Sequence, residues 1–199
     1  MPFVSSDPVG LPGIAALAVG FAAFLIALLA AKARSSRDGG KVSQRAPGAW
    51  FWIAVQAIGI GIAAVGPIRV AIDPMSGKAL GEAVLVFALM LAGVALFDTS
   101  SRAMGKNWAV AARTREDHTL VESGPFRLVR NPIYVALSLF MVAIAVAYGH
   151  LANLIVAVPV YALGTWMRVR HEERLLRDQF GAAYDAYAAR VKRFVPGLF

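Results

Sequence analysis

The stretch His118-Thr119-Leu120-Val121-Glu122-Ser123-Gly124-Pro125-Phe126-Arg127-Leu128-Val129-Arg130-Asn131-Pro132-Ile133-Tyr134 marks the boundary between a polar segment and an apolar one. Gly124-Pro125 is a turn signal and Asn131-Pro132 is another, so the link between them is held at both ends. The spacing of Arg127 and Arg130 sets two guanidiniums at the foot of the apolar run that Ile133 begins. The pattern predicts a rigid loop feeding an apolar helix.

Composition says what kind of helix that is. Of 199 residues, 58% are hydrophobic and 16% charged, and the mean hydropathy is +0.62; a soluble domain carries about 25% charged residues. The chain is built for a membrane. It has no cysteine, which removes disulfides, thiolate metal sites and cysteine nucleophiles and leaves no expectation of a metal site. A net charge of +8 would suit nucleic acid only if the basic residues formed a domain of their own.

Reading outward from the boundary, Ile133 to Gly149 and Leu151 to Met167 are two apolar runs separated by the Gly149-His150 turn. They predict a tight antiparallel hairpin, with His150 as a solvated residue at its tip. Upstream, Leu11 to Ala31, Trp50 to Ile68 and Ala79 to Phe97 are three further runs long enough to cross a hydrocarbon core of about 30 Å. Met1 to Gly10 carries no positive charge and basic residues follow the first run, so that run reads as a span and not as a cleaved signal peptide. Within the spans, Gln56 reads as interhelical glue and Glu82 as a snorkelling or locally paired carboxylate. Gly59, Gly61, Gly66 and Gly93 offer small faces for close helix contact.

Charge placement orients the bundle. Lys and Arg number five in the loop from Lys32 to Arg45, six from Asp98 to Arg130 and seven from Arg168 onward, against Arg69 and Lys78 alone on the other side. The positive-inside rule then puts the N-terminus outside and the C-terminus in the cytosol, as in a bacterial inner membrane. Trp50, Trp52 and Trp166 at inner span ends, with Trp108 in the inner loop, fit an interfacial belt. The charge excess is topological, and no basic domain remains for nucleic acid. The expected fold is all-α and integral to the membrane. It forms one domain over 1–199, with spans at about 11–31, 50–68, 79–97, 133–149 and 151–167 and cytosolic regions at 98–132 and 168–199.

The quoted stretch resembles the signature of the isoprenylcysteine carboxyl methyltransferase family, which is His-x-Leu-Val-x-x-Gly-Pro-Tyr-Arg-x-x-Arg-His-Pro-x-Tyr. His118, Leu120, Val121, Gly124, Pro125, Arg127, Arg130, Pro132 and Tyr134 match it, while Phe126 and Asn131 stand where the family often has Tyr and His. A second block, with Arg168, Glu172, Glu173, Leu176, Phe180, Gly181, Tyr184, Tyr187, Val191 and Pro196, is similar to that family's C-terminal motif. These small membrane enzymes, with phospholipid and thiol methyltransferase relatives, use S-adenosylmethionine.

The resemblance implies a cofactor site made of His118, Thr119, Leu120, Val121, Phe126, Asn131, Pro132, Ile133, Tyr134 and Glu172. It implies that Arg168 and Glu172 are catalytic and that Arg168 holds the acceptor, a carboxylate matching a guanidinium fork. Asn131 keeps hydrogen bonding and loses the family's titratable group. Spacing alone says less: Arg168 and Glu172, four apart on a helix, favour a simple ion pair, and His118 alone reads as a solvated loop residue. The first turn of the fourth span offers free N–H groups to a carboxylate. Gly181 should end the helix bearing Glu172, with Tyr184, Tyr187 and Val191 on a packed face beyond it and the C-terminal helix acting as a lid.

The expected acceptor is lipophilic and arrives from the bilayer, an isoprenylcysteine-like carboxylate fitting Arg168 best. A phospholipid amine or a thiol is the alternative within the class. Membrane sterol reductases resemble the C-terminal region and bind a nicotinamide cofactor, NADPH, but are longer. A non-catalytic membrane protein that keeps the fold is the remaining reading, and Phe126 and Asn131 are its only support.

Overall fold

The structure, a computed structural model, describes residues 6–36, 42–45, 48–109, 113–115 and 119–198. His118 lies outside them. Among the described residues, six α-helices carry the fold: α1 (Leu11–Ser36), α2 (Ala49–Ala64), α3 (Gly77–Met104), α4 (Pro132–Tyr148), α5 (Leu154–Phe180) and α6 (Ala182–Arg190). The protein is an all-α membrane protein. Helices α1, α3 and α5 are long and apolar enough to cross a bilayer, and α2 and α4 are shorter apolar helices of 16 and 17 residues.

The strand content among the described residues is two short pairs, which the expectation of an all-helical chain did not include. One joins β1 (Val9–Gly10) in parallel to β3 (Val70–Ile72); the other joins β2 (Val42–Arg45) antiparallel to β4 (Arg113–Arg115). The first closes one end of the bundle and the second ties two loops at the other.

Helix α2 packs on α5, α1 on α3, and α3 on α4. Glycine sets the first of these contacts: a Cβ on Gly59 would lie 2.6 Å from Tyr161 N, and one on Gly164 would lie 2.7 Å from Gln56 N. The α2 and α5 backbones therefore touch, as Gly-faced helices do. Gly93 admits the Phe140 ring between α3 and α4 in the same way. Gly61, by contrast, faces open space. Because α4 packs mainly on α3 while α5 packs mainly on α2, the expected tight α4–α5 hairpin opens beyond its turn.

That turn corrects two readings. His150 is buried, only 2% exposed, with Nε2 3.2 Å from Pro67 O and its ring edge-on to Tyr148. It is a packed residue of the cap and not a solvated tip, because the N-terminal segment folds over it, with Asp7 N donating to Gly149 O at 2.9 Å. Helix α2 stops at Ala64 and not at Ile68. Asn153 Nδ2 donates to Ile62 O and Val65 O at 3.0 and 2.8 Å, satisfying carbonyls that a continuing helix would have used, and Pro67 cannot extend it. Glu82 is locally paired, accepting from Gly10 N at 3.3 Å and lying 3.8 Å from Lys78 Nζ.

At the opposite end, α3 and α5 run past their apolar portions. Trp108 is buried there, edge-on to Phe97, and so belongs to the core and not to an interfacial belt. Gly181 breaks α5 from α6 with φ 52°. Tyr184, Tyr187 and Val191 of the following segment pack on Leu120, Leu176 and Phe180.

Candidate active site

The loop between the two turns folds as expected. Gly124 takes φ 60°, Gly124–Arg127 form a 3-10 turn, and Pro132 sits at the first turn of α4, where its missing N–H costs nothing. The C-terminal strap then clamps this loop. Arg130 N donates to Lys192 O at 2.8 Å, Asn131 N and Nδ2 donate to Arg193 O at 3.1 and 3.4 Å, and Tyr187 Oη donates to Phe126 O at 2.8 Å.

Between loop, strap and helix ends lies a cavity of about 290 Å³, near the lower size of small-molecule sites. Its lining includes apolar side chains, Phe24 and Leu28 of α1, Phe97 and Met104 of α3 and Leu137 of α4, and the polar Arg130, Asn131, Arg168, Glu172 and Glu173. A lining of both kinds suits a ligand with a charged head and a greasy body.

Arg168 and Glu172 of α5 meet Tyr134 of α4 at this cavity. Tyr134 Oη donates to Glu172 Oε1. Arg168 Nη2 lies 3.7 Å from Glu172 Oε1, and the guanidinium carbon sits 4.9 Å from the Tyr134 ring centroid. Gln56 completes the support: its Oε1 accepts from Arg168 Nη1 at 2.7 Å and its Nε2 donates to Thr165 Oγ1 at 2.7 Å. The interhelical glue therefore also aims a site residue. Tyr161 Oη donates to Tyr134 O at 2.5 Å, fixing the first turn of α4.

A second charge cluster went unread in the sequence. Glu173, 3% exposed, accepts from Arg193 Nε and Nη2 at 2.9 and 2.7 Å, with Arg130 Nη2 at 3.1 Å and Arg177 Nη1 at 3.9 Å. The bidentate hydrogen bond to Glu173 raises the Arg193 pKa, so Arg193 stays charged at any physiological pH. Burial pushes the neighbouring Tyr184 phenol up to about 12 and raises Tyr187 as well; both remain neutral packing groups. The only sign of Glu173 in the sequence was its place beside Glu172 in the second block, where adjacency puts the two side chains on different helix faces.

Of the expected site residues, Phe126, Asn131, Pro132, Ile133, Tyr134, Arg168 and Glu172 line the cavity. Thr119 is exposed and accepts from Asn107 Nδ2 through both O and Oγ1, at 3.2 and 3.3 Å. Leu120 packs on Tyr184 and Tyr187, outside the lining, and Val121 also lies outside it. Asn107, Trp108, Arg130, Glu173 and Tyr184 line the cavity without having been singled out for it. Arg130 stood in the quoted motif; Asn107 had no sequence signal. Among the described residues, no three His, Asp or Glu side chains converge as metal ligands do.

With this geometry, comparison with known proteins is informative. A family model described as phospholipid methyltransferase matches residues 82–183, a stretch that includes every cavity residue named above except Phe24, Leu28 and Tyr184. The chain is 31% identical over 110 residues to the cobalt-zinc-cadmium resistance protein CzcN of Cupriavidus metallidurans, covering 55% of this chain and 50% of that protein. It is 30% identical over 114 residues to protein-S-isoprenylcysteine O-methyltransferase B of Arabidopsis thaliana, covering 54% and 56%. The chain spans about half the length of these curated relatives.

Proposed function

The chain belongs to the phospholipid methyltransferase family, and from that membership we propose that it is a membrane methyltransferase that uses S-adenosylmethionine to methylate a lipophilic acceptor. The whole chain, 1–199, works as one membrane domain in this reading. Its N-terminus lies outside and its cavity faces the cytosol of a bacterial cell, where the methyl donor is made. The observation that carries the reading is the meeting of Arg168, Glu172 and Tyr134 at a cavity lined by both charged and apolar side chains.

The bound sulfonium supplies an activated methyl group. The protein orients the partners and keeps water away. Arg168, braced by Gln56, holds the acceptor's carboxylate, the substrate class a guanidinium fork fits best. With that carboxylate held, the donor would give its methyl group to a carboxylate oxygen and leave as the neutral thioether, the positive charge on sulfur and the negative charge on oxygen cancelling. No proton moves, so no general base is needed. Glu172, fixed by Tyr134, would hold the cationic donor by charge. Asn131, Pro132 and Ile133 would present the start of α4 to it, with Phe126 as a packing surface. The relative that methylates isoprenylcysteine supports a prenylcysteine-type acceptor.

The family's description supports a phospholipid amine as the second reading. An amine or thiol acceptor must lose a proton, and the Glu172 carboxylate at the cavity would take it. Reconstituted protein given methyl-labelled donor with a prenylcysteine analogue, phosphatidylethanolamine or a small thiol separates these. Label in the prenylcysteine ester supports the proposal; label in the lipid amine or thiol alone moves the acceptor to the second reading.

A further inference from the structure

The C-terminal strap and the loop it clamps leave apolar side chains uncovered at the depth where the spans end. Leu128 is 65% exposed and Leu198 81%. Val195 is exposed too, in one turn with Leu198, whose N donates to Val195 O at 3.2 Å. Two relationships fix the depth of these segments. Leu128 stands four residues before Pro132, the first residue of α4, and next to Val129, which bridges to Lys192 of the strap. The Arg193 guanidinium of the strap lies 4.8 Å from the ring centroid of Trp166, where the apolar part of α5 ends. Loop and strap therefore meet the helices at the membrane–water boundary, the level at which tryptophan rings and basic side chains collect.

The charge of this edge is positive. Arg127 and Lys192 are exposed, and among the described residues neither has a carboxylate partner. The carboxylates of the adjoining segments are taken: Glu122 by Arg190 at 2.7 Å, Asp185 by Arg177 at 3.0 Å, and Glu173 by the buried arginine cluster. Asp178 lies twelve residues past Trp166, about 18 Å further along α5. Single exposed apolar side chains are ordinary on protein surfaces. Beside uncompensated cations at interfacial depth they have a specific complement, the acyl boundary beneath anionic headgroups. We propose that the Arg127–Leu128 tip of the loop and the strap from Lys192 to Leu198 form a docking surface for anionic phospholipids of the surrounding bilayer. Arg127 and Lys192 meet the phosphates, and Leu128, Val195 and Leu198 enter the boundary below them. The proposed orientation makes this the cytosolic leaflet; neither donor nor acceptor enters the inference. Because Lys192 O and Arg193 O hold Arg130 N and Asn131 N, a docked strap also holds the loop that lines the cavity.

Hydrogen exchange followed by mass spectrometry on the full-length protein in nanodiscs tests this, comparing phosphatidylcholine alone with phosphatidylcholine containing phosphatidylglycerol. Anionic lipid should slow exchange in the strap and in residues 127–129 by about fivefold or more, the effect of roughly one Lys or Arg near an anionic surface. Added salt should erase the difference. Arg127→Gln combined with Lys192→Gln should remove most of the slowing and leave the melting temperature in detergent unchanged. Equal strap exchange in the two bilayers would overturn the inference and leave the apolar side chains to a protein partner. Slowing that survives the double substitution, or that extends equally to Val70–Ile72 at the other end of the bundle, would overturn it as well.

Discussion

The Tyr134 hydroxyl on α4 donates to the Glu172 carboxylate on α5, and this bond helps join two helices that pack mainly on different neighbours. Arg168 lies over the same tyrosine ring and beside the same carboxylate. Its removal is therefore informative: Tyr134→Phe keeps the ring beneath Arg168 and frees one carboxylate oxygen. Donor affinity measured by calorimetry should fall about tenfold, the cost of one hydrogen bond to a charged group, with the melting temperature in detergent little changed. A melting temperature that collapses would show that the bond serves the bundle and not the site.

Gln56 links Arg168 to Thr165 by two hydrogen bonds of 2.7 Å. Gln56→Leu removes the group that aims the guanidinium and leaves Arg168 and Glu172 in place. Turnover of the acceptor should drop by one to two orders of magnitude, an order-of-magnitude expectation for lost orientation, while donor affinity changes by less. Equal loss of both would place Gln56 in the fold alone.

Glu173 holds Arg130 and Arg193 in a buried cluster. Glu173→Ala would leave those guanidiniums near one another without their shared carboxylate, costing about 3–5 kcal/mol. Thermal unfolding should record this loss, and limited proteolysis should find the C-terminal strap newly accessible. An unshifted melting temperature would mean that the strap is held by its backbone bonds to Val129–Asn131 and not by charge.

Gly164 meets the Gln56 backbone so closely that a Cβ there would stand 2.7 Å from its nitrogen. Gly164→Ala must push α2 from α5, and overpacking of this kind costs about 1–3 kcal/mol. Because Gln56 and Arg168 face each other across this contact, activity should fall along with stability. A stable Gly164→Ala protein with normal turnover would contradict the close packing.

Much of the architecture was legible because it follows from local rules. Apolar runs located the five helices, Gly124 and Pro132 marked the rigid loop, Gly181 marked the break after α5, and the four-residue spacing put Arg168 and Glu172 on one face. Other features depend on contacts distant in sequence. Nothing near His150 announces that the N-terminal segment will bury it, and α2 ends early because Asn153, almost ninety residues away, caps its carbonyls. Glu173 was legible as a charge but not as the partner of Arg130 and Arg193, and Asn107 gains its meaning only from the cavity.

The central claim is that this cavity holds S-adenosylmethionine with Glu172 against it. Calorimetric titration of the donor into detergent-purified protein, with Glu172→Ala beside wild type and NADPH as a competing ligand, tests it most directly. Saturable binding to wild type that is lost or much weakened in Glu172→Ala, and unaffected by NADPH, is the predicted result. No binding of the donor, or displacement by NADPH, would contradict the account and return the fold to the reductase or non-catalytic readings.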